Sequence, residues 1–268
     1  MFDSLALVGD TKGLPRLLRC VPLDKISVLV AASIRPDYIE PLKKIANAIS
    51  KPLLIQPKYN TSEYTKFMQQ MKLFDIDMLL CDSYSMIIRP DVLQLVKYNA
   101  INIHAALLPK NRGPNPIQWS IIKGELSTGV TMHYMSDSID AGDIIYQEEI
   151  RIENDDTWVS LSDKIDFVSE KMIGKNIGSI IIGKNPSVIQ EEKLATINIR
   201  ITRDFPLIEF ERMSITEIYN LIRAQIFPLG GAYFLDSEKE YHTIEQLISE
   251  EEIMLLKIKY FDSLINNS

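Results

Sequence analysis

I-D-M-L-L-C-D-S-Y-S-M-I-I-R-P-D-V-L-Q-L-V-K-Y-N-A-I-N-I, residues Ile76 to Ile103, decides the fold. It reads as strand, loop, short helix, strand. Ile76–Leu80, apolar apart from Asp77, reads as a buried strand. Ser83–Ile88 follows as a loop at its carboxyl end. Pro90 stands near the start of a short helix over Asp91–Lys97, where its missing N–H costs nothing. Asn99–Ile103 is the next strand. Strands that alternate with helices form a mainly parallel sheet with helices on both faces.

The same alternation extends in both directions. Upstream, Leu5–Val8 reads as a strand, Gly9-Asp10-Thr11-Lys12-Gly13 as a turn, and a helix follows through Leu17 and Leu18. The turn lacks the G-x-G-x-x-G spacing, so it does not imply a dinucleotide. Ile26–Ala32 and Leu53–Ile55 are further strands, with helices over Asp37–Ile49 and Ser62–Leu73. Ser62 is the expected cap of the latter, and Tyr64, Phe67, Met68 and Met71 form its apolar stripe. Downstream, Gly129–Met135 and Ile144–Ile150 read as strands and Thr157–Met172 as an amphipathic helix. A separate apolar segment, Ile177–Ile182, closes this part. The fold class is therefore α/β, a Rossmann-like, mainly parallel sheet.

From about residue 191 the pattern changes. Thr196–Ile201 alternates like a strand. Ser214-Ile-Thr-Glu217 is a capping box opening a helix through Ala224, and Ala232–Leu235 and Ile253–Tyr260 read as strands. The expected domains are 1–190 and a small carboxyl-terminal α+β extension, 191–268.

The chain has 268 residues and a net charge of −7. That charge weighs against a nucleic-acid surface, which is normally basic. No apolar run approaches the ~18 residues of a membrane span, and the first residues lack the basic start of a signal peptide. Cys20 and Cys81 have no metal-ligand spacing, so two reduced thiols and no metal are expected. The expected location is the cytoplasm, with no membrane partner.

In a parallel sheet, ligands bind at the carboxyl ends of the strands. Asn102 and His104 sit there, on one face of the Asn99–Ile103 strand and its continuation. The acid-bearing loop Ser136–Asp143 supplies Asp140. Histidine exchanges protons near neutral pH. An asparagine amide can donate to a carbonyl oxygen that becomes negative, and a carboxylate can orient a histidine. Ala105 and Ala106 follow His104, so no side-chain nucleophile stands beside it, and an attacking amine from a substrate fits. The alternative is structural: Asn102 and His104 tying down loop backbone. His133 is read as lining the sheet and His242 as solvated.

Asn102-Ile-His104, Leu107-Leu108-Pro109, Arg112-Gly113, Trp119, Gly124-Glu125, Thr128-Gly129-Val130-Thr131 and Asp140-Ala-Gly-Asp143-Ile together resemble the signature of the N10-formyltetrahydrofolate-dependent formyltransferases. The resemblance covers roughly residues 1 to 235. It implies the catalytic trio Asn102, His104 and Asp140, and N10-formyltetrahydrofolate as co-substrate. It also places the pterin against Ser83, Met86, Ile87 and Ile88 of one loop and Asp137 and Ile139 of the other. Ala105-Ala106 departs from the family, which often carries a serine there.

Among the family's acceptors, length and the Asn111-Arg-Gly-Pro-Asn-Pro116 run favour the sugar N-formyltransferases. Their substrates are nucleotide-linked amino sugars for surface polysaccharide such as O-antigen. dTDP-4-amino-4,6-dideoxyglucose comes first, with a 3-amino isomer beside it. Arg112 is the candidate cation for the diphosphate, and Tyr233 or Phe234 the stacking surface. A methionyl-tRNA acceptor, or hydrolysis of the formyl-folate with no acceptor, is the alternative. A homodimer through the carboxyl-terminal part, with Ile253–Tyr260 as an edge strand, completes the expectations.

Overall fold

The computed structural model describes residues 1–10 and 12–266, so Thr11 of the first turn lies outside it. Among the described residues the main sheet has seven strands: β1 (Leu5–Gly9), β2 (Ile26–Ala32), β3 (Leu53–Gln56), β4 (Met78–Asp82), β5 (Asn99–His104), β6 (Ser127–Tyr134) and β7 (Ile144–Arg151). Their order is β3-β2-β1-β4-β5-β6-β7. The pairs from β3 to β5 are parallel, and β5 meets β6 antiparallel. The predicted mainly parallel α/β sheet is therefore the observed one.

Helices α1 (Gly13–Cys20), α2 (Pro36–Ala48) and α3 (Ser62–Met71) make the first crossovers. Gly13 is required by packing, because a Cβ there would lie 1.9 Å from the carbonyl oxygen of Asp82. Thr61 rather than Ser62 caps α3, accepting the Tyr64 N–H at 3.2 Å. The expected stripe is buried: Tyr64, Phe67 and Met71 join Ala6, Val8, Val28, Val30 and Leu79 in one core cluster. Each of the larger apolar side chains contributes on the order of 2 kcal/mol through burial.

Strand β4 is displaced from its expected span. Its ladder starts at Met78, because the Ile76 and Asp77 carbonyls accept the N–H groups of Lys97 and Tyr98. It runs on to the charged Asp82 because Arg16 pairs that carboxylate at 2.6 Å with both side chains 2% exposed. Helix α4 (Pro90–Leu93) is shorter than expected. The chain beyond it continues in i to i+3 turns at Leu95 and Val96. Further on, α5 (Pro116–Ile122) is short, and α6 (Trp158–Ile181) joins the two separately expected segments into one helix.

The carboxyl-terminal part holds α7 (Ile215–Gln225), the two-stranded ladder β8 (Ala232–Leu235) with β9 (Tyr241–Ile244), and α8 (Glu250–Asn266). The Ser214–Glu217 capping box forms as predicted. Two expected strands do not. Ile253–Tyr260 lies inside α8, which opens with a second capping box: Ser249 Oγ accepts the Glu252 N–H at 3.2 Å and the Glu252 carboxylate accepts the Ser249 N–H at 2.7 Å. Thr196–Ile201 makes only one isolated bridge, Ile197 to Arg112. Asn198 is its buried residue, while Ile197 and Ile199 face solvent, and the exposed Thr196 accepts the Asn111 N–H through Oγ1 at 2.8 Å. His242 is not simply solvated, since its Nε2 lies 2.8 Å from Asp236 and its ring stacks on Phe234.

Contacts divide the chain into two compact units. The first comprises Met1–His104, Val130–Glu148 and Asp166–Lys193, and the second Ala105–Gly129, Glu149–Ile165 and Leu194–Ser268. The division differs from a single cut at 190, because the second unit also takes two earlier segments. Among the described residues no helix is long and apolar enough to cross a membrane.

Candidate active site

The site residues of the first unit come from β5, β6 and the loop before β7. Asn102 pairs with His133 across the antiparallel ladder, and His104 with Thr131. On its other side, Asn102 pairs with Cys81 of β4, so the Ser83–Ile88 loop leaves the sheet beside His104. Asp140 adopts a left-handed conformation with φ of 52°. Its carbonyl accepts the Gln190 amide at 2.8 Å, and the same amide bonds the Gly142 carbonyl at 2.7 Å. Gly142 has no room for a side chain, since a Cβ would meet the Tyr134 carbonyl at 1.9 Å. These two constraints fix how the loop presents Asp140.

The trio converges. Asp140 Oδ2 lies 3.5 Å from His104 Nδ1, and Asp140 Oδ1 lies 3.4 Å from Asn102 Nδ2. Both are looser than the about 2.8 Å of a tight charge-assisted bond. A fourth member, His133, was missed by sequence reasoning. Its Nδ1 lies 2.8 Å from the Tyr134 carbonyl oxygen. A carbonyl only accepts, so Nδ1 carries the proton. In the neutral ring, Nε2 then accepts from Asn102 Nδ2 at 3.2 Å. The two N–H bonds of Asn102 therefore have two acceptors, and the amide is oriented by them. His133 is 1% exposed, so this is an interior contact. The signal available in the sequence was only the i, i+2 relation of Thr131 and His133 on a strand next to Asn102.

Cys81 offers no nucleophile. Burial pushes its thiol well above the ordinary pKa, and Asp82, Asp10 and Asp140 push the same way. The thiolate, the reactive form, is thereby suppressed. Among the described residues no group of histidine, cysteine or carboxylate side chains is arranged to hold a metal ion.

The other expected site residues separate. Ser83 is exposed with φ of 49°. Met86 is half-buried and Ile87, Asp137 and Ile139 are exposed. Ile88 is withdrawn into the core cluster with Val92 and Tyr64, so its side chain is not a wall residue and only its backbone remains for that role. In the second unit Arg112 is 5% exposed, its N–H bonded to Thr196 O at 2.9 Å and its carbonyl to Asn198 N–H at 2.8 Å. Phe234 packs edge-on against Phe210 in that unit's own core, which takes its ring from the role of stacking surface. Tyr233 lies beside Tyr241, with its hydroxyl donating to the Asp204 carbonyl at 3.2 Å.

Known proteins bear on this arrangement. A methionyl-tRNA formyltransferase from Staphylococcus epidermidis (strain ATCC 12228 / FDA PCI 1200) is 34% identical over 199 residues, 74% of this chain. The chain spans 63% of that relative's own length. A 4-N formyltransferase from Francisella tularensis superposes with a TM-score of 0.75 at 19% identity, covering 92% of this chain and 98% of the other. An N-formyltransferase from Helicobacter canadensis superposes with a TM-score of 0.64 at 21% identity, covering 85% and 81%. At such identities these two establish the shared fold. The sequence profile of the formyl transferase family matches residues 22–177, more than half of the chain and the span that holds Asn102, His104, His133 and Asp140. The chain belongs to the formyl transferase family.

Proposed function

We propose that this protein transfers a formyl group from N10-formyltetrahydrofolate to the amine of a nucleotide-linked amino-dideoxy sugar. dTDP-4-amino-4,6-dideoxyglucose is favoured, with the 3-amino isomer next, for surface polysaccharide such as O-antigen. The observation that carries the reading is the convergence of Asn102, His104 and Asp140, with alanines following His104 and the neighbouring Cys81 held as a thiol. Such a site suits an attack by a substrate amine on an activated carbonyl. The Helicobacter canadensis relative was solved with folinic acid and dTDP-3-aminofucose.

The co-substrate supplies an activated formyl carbon. Ser83, Met86, Ile87, the backbone of Ile88, Asp137 and Ile139 are the proposed contacts for its pterin. The protein's share is orientation and charge. Asp140 holds His104 with Nδ1 toward the carboxylate, which leaves Nε2 to handle the proton that the amine loses. Of the two Asn102 N–H bonds, the longer one toward Asp140 is the one that can turn to a negative oxygen. His133 keeps the other in place. Arg112 and Tyr233 remain the proposed acceptor contacts in the second unit.

A methionyl-tRNA acceptor is the second reading, favoured by the identity to the Staphylococcus epidermidis relative. Against it stand the net charge of −7 and the electrostatic demand of phosphate recognition. A cytoplasmic location belongs to the proposal. So does a homodimer, moved from the expected edge strand to α8. Met254, Ile258, Phe261 and Ile265 are exposed there at a 4-3-4 spacing, the seam of a helix pair. An antiparallel second copy keeps the acidic first turns, Glu250–Glu252, apart, whereas a parallel one stacks like charges.

The test is a panel assay of formyl-folate with several dTDP-amino sugars and with charged initiator tRNA. Formylation of one sugar and not of the tRNA is expected. Formylation of the tRNA and of no sugar overturns the choice of acceptor.

A further inference from the structure

Side chains from four places in the first unit hold the Ser83–Ile88 loop from beneath. Asp10, just past β1, turns both carboxylate oxygens to backbone donors: Oδ1 takes the Ala32 N–H at 3.0 Å and Oδ2 the Ser85 N–H at 2.8 Å. Arg16 donates to Ser83 Oγ at 3.2 Å. Gln56, the last residue of β3, donates to the Ile87 carbonyl at 3.2 Å and accepts the Tyr84 hydroxyl at 2.9 Å. Arg35 donates to Ser85 Oγ at 3.0 Å. Asp10 is 2% exposed. A carboxylate is kept inside a protein only where its oxygens are fully bonded, and here the bonds run to the end of β2 and the middle of the loop. Only a carboxylate can accept on both sides in this way. An asparagine of the same shape would turn an NH2 group against one of the two N–H donors.

We infer that Asp10, assisted by the Gln56–Tyr84 contact, is a positioning residue for the folate co-substrate. It sets the backbone shape of the loop on which the pterin is proposed to lie, and so governs co-substrate affinity without taking part in the chemistry at Asn102, His104 and Asp140. The inference rests on the folate reading above. Groups that hold a binding surface to within fractions of an ångström control affinity through that shape.

The test compares the wild-type chain with D10N and Y84F. Three readouts are taken: the Kd of folinic acid by calorimetry, KM for formyl-folate against KM for the acceptor, and amide exchange of the 83–88 segment. D10N is expected to raise Kd and the co-substrate KM by about tenfold, with faster exchange, an unmoved acceptor KM and kcat at saturation within about twofold. Y84F, which removes one hydroxyl and leaves Asp10 in place, is expected to move the same quantities by about threefold. Y84F carries the test if D10N does not fold. Wild-type binding matched by both variants overturns the inference, as does a loss confined to kcat. A wild-type chain that does not bind folinic acid overturns the folate reading, and this inference with it.

Discussion

Asn102 Nδ2 lies 3.2 Å from His133 Nε2, a contact set by the pairing of the two residues across β5 and β6. On the proposed mechanism His133 acts through Asn102, with Asp140 Oδ1 a further 3.5 Å neighbour of its Nε2. H133A is expected to lower kcat by about 10²-fold, the usual penalty for a displaced reacting group, with little change in either KM. Removing the proposed oxyanion donor, N102A, is expected to cost ~10²–10³ in kcat. The double variant N102A/H133A is expected to be no worse than N102A alone, because partners in one unit are not additive. Additive losses in steady-state kinetics would sink the assignment.

Arg16 is the structural counterpart of that interior contact. Its guanidinium bonds Asp82 at 2.6 Å and Asp166 at 2.6 Å. Burial works against its charge, but the two carboxylates outweigh it and hold its pKa above the ordinary value. R16M strands Asp82 without its counter-charge and is expected to cost about 3–5 kcal/mol. R16M/D82N is expected to recover part of the loss in urea unfolding. A wild-type midpoint for R16M alone would refute this account.

Asp156 gives a pH-dependent contribution to the stability of the second unit. Burial tends to raise its pKa, but Lys164 at 2.6 Å, the Glu153 N–H at 2.8 Å and the Ser160 hydroxyl together leave it below the ordinary value. A carboxyl group with a lowered folded-state pKa adds stability that is fully present above the unfolded value of about 3.9. That stability is lost as pH falls through the lower folded value. D156N is therefore expected to be less stable than the wild type at pH 7 by about 1–3 kcal/mol. The gap should close as the pH drops below about 4. Thermal melts across that range would show it, and a gap independent of pH would disprove it.

For α8, sedimentation is the measurement. The wild-type chain is expected to sediment as a dimer and I258E as a folded monomer with the same circular dichroism. A glutamate on the seam places like charges across a two-fold contact, which disfavours pairing. A wild-type chain that remains monomeric at working concentration removes the helix-pair proposal.

Much of the first unit was legible because its strands are nearly continuous apolar runs. Ile26–Ala32 has the same bounds in sequence and structure. That Asn102 and His104 stand together was legible because they share one strand face, whereas Asp140 joined them through the resemblance to the family. His133 was not legible, since its place opposite Asn102 depends on a register no local pattern encodes. The clamp beneath the loop was hidden for the same reason: Asp10, Gln56 and Arg35 are far from Ser85 in sequence. The misreading of Ile253–Tyr260 had a local remedy. Ser249-Glu-Glu-Glu252 is a helix-opening signature, and the apolar residues after it recur at helical spacing on two faces. Thr196–Ile201 misled because Asn198 is the residue it buries, while Ile197 and Ile199 face solvent.

The protonated state of Cys81 has a practical corollary. A buried thiol whose pKa lies well above the ordinary value, on the strand beside Asn102, is slow toward peroxide and alkylating reagents. Cys20, its pKa also raised by burial and by Glu170, resists in the same direction. Catalysis should therefore survive storage without reductant. Rapid inactivation by a thiol reagent would report unfolding of the chain rather than attack on the reacting groups.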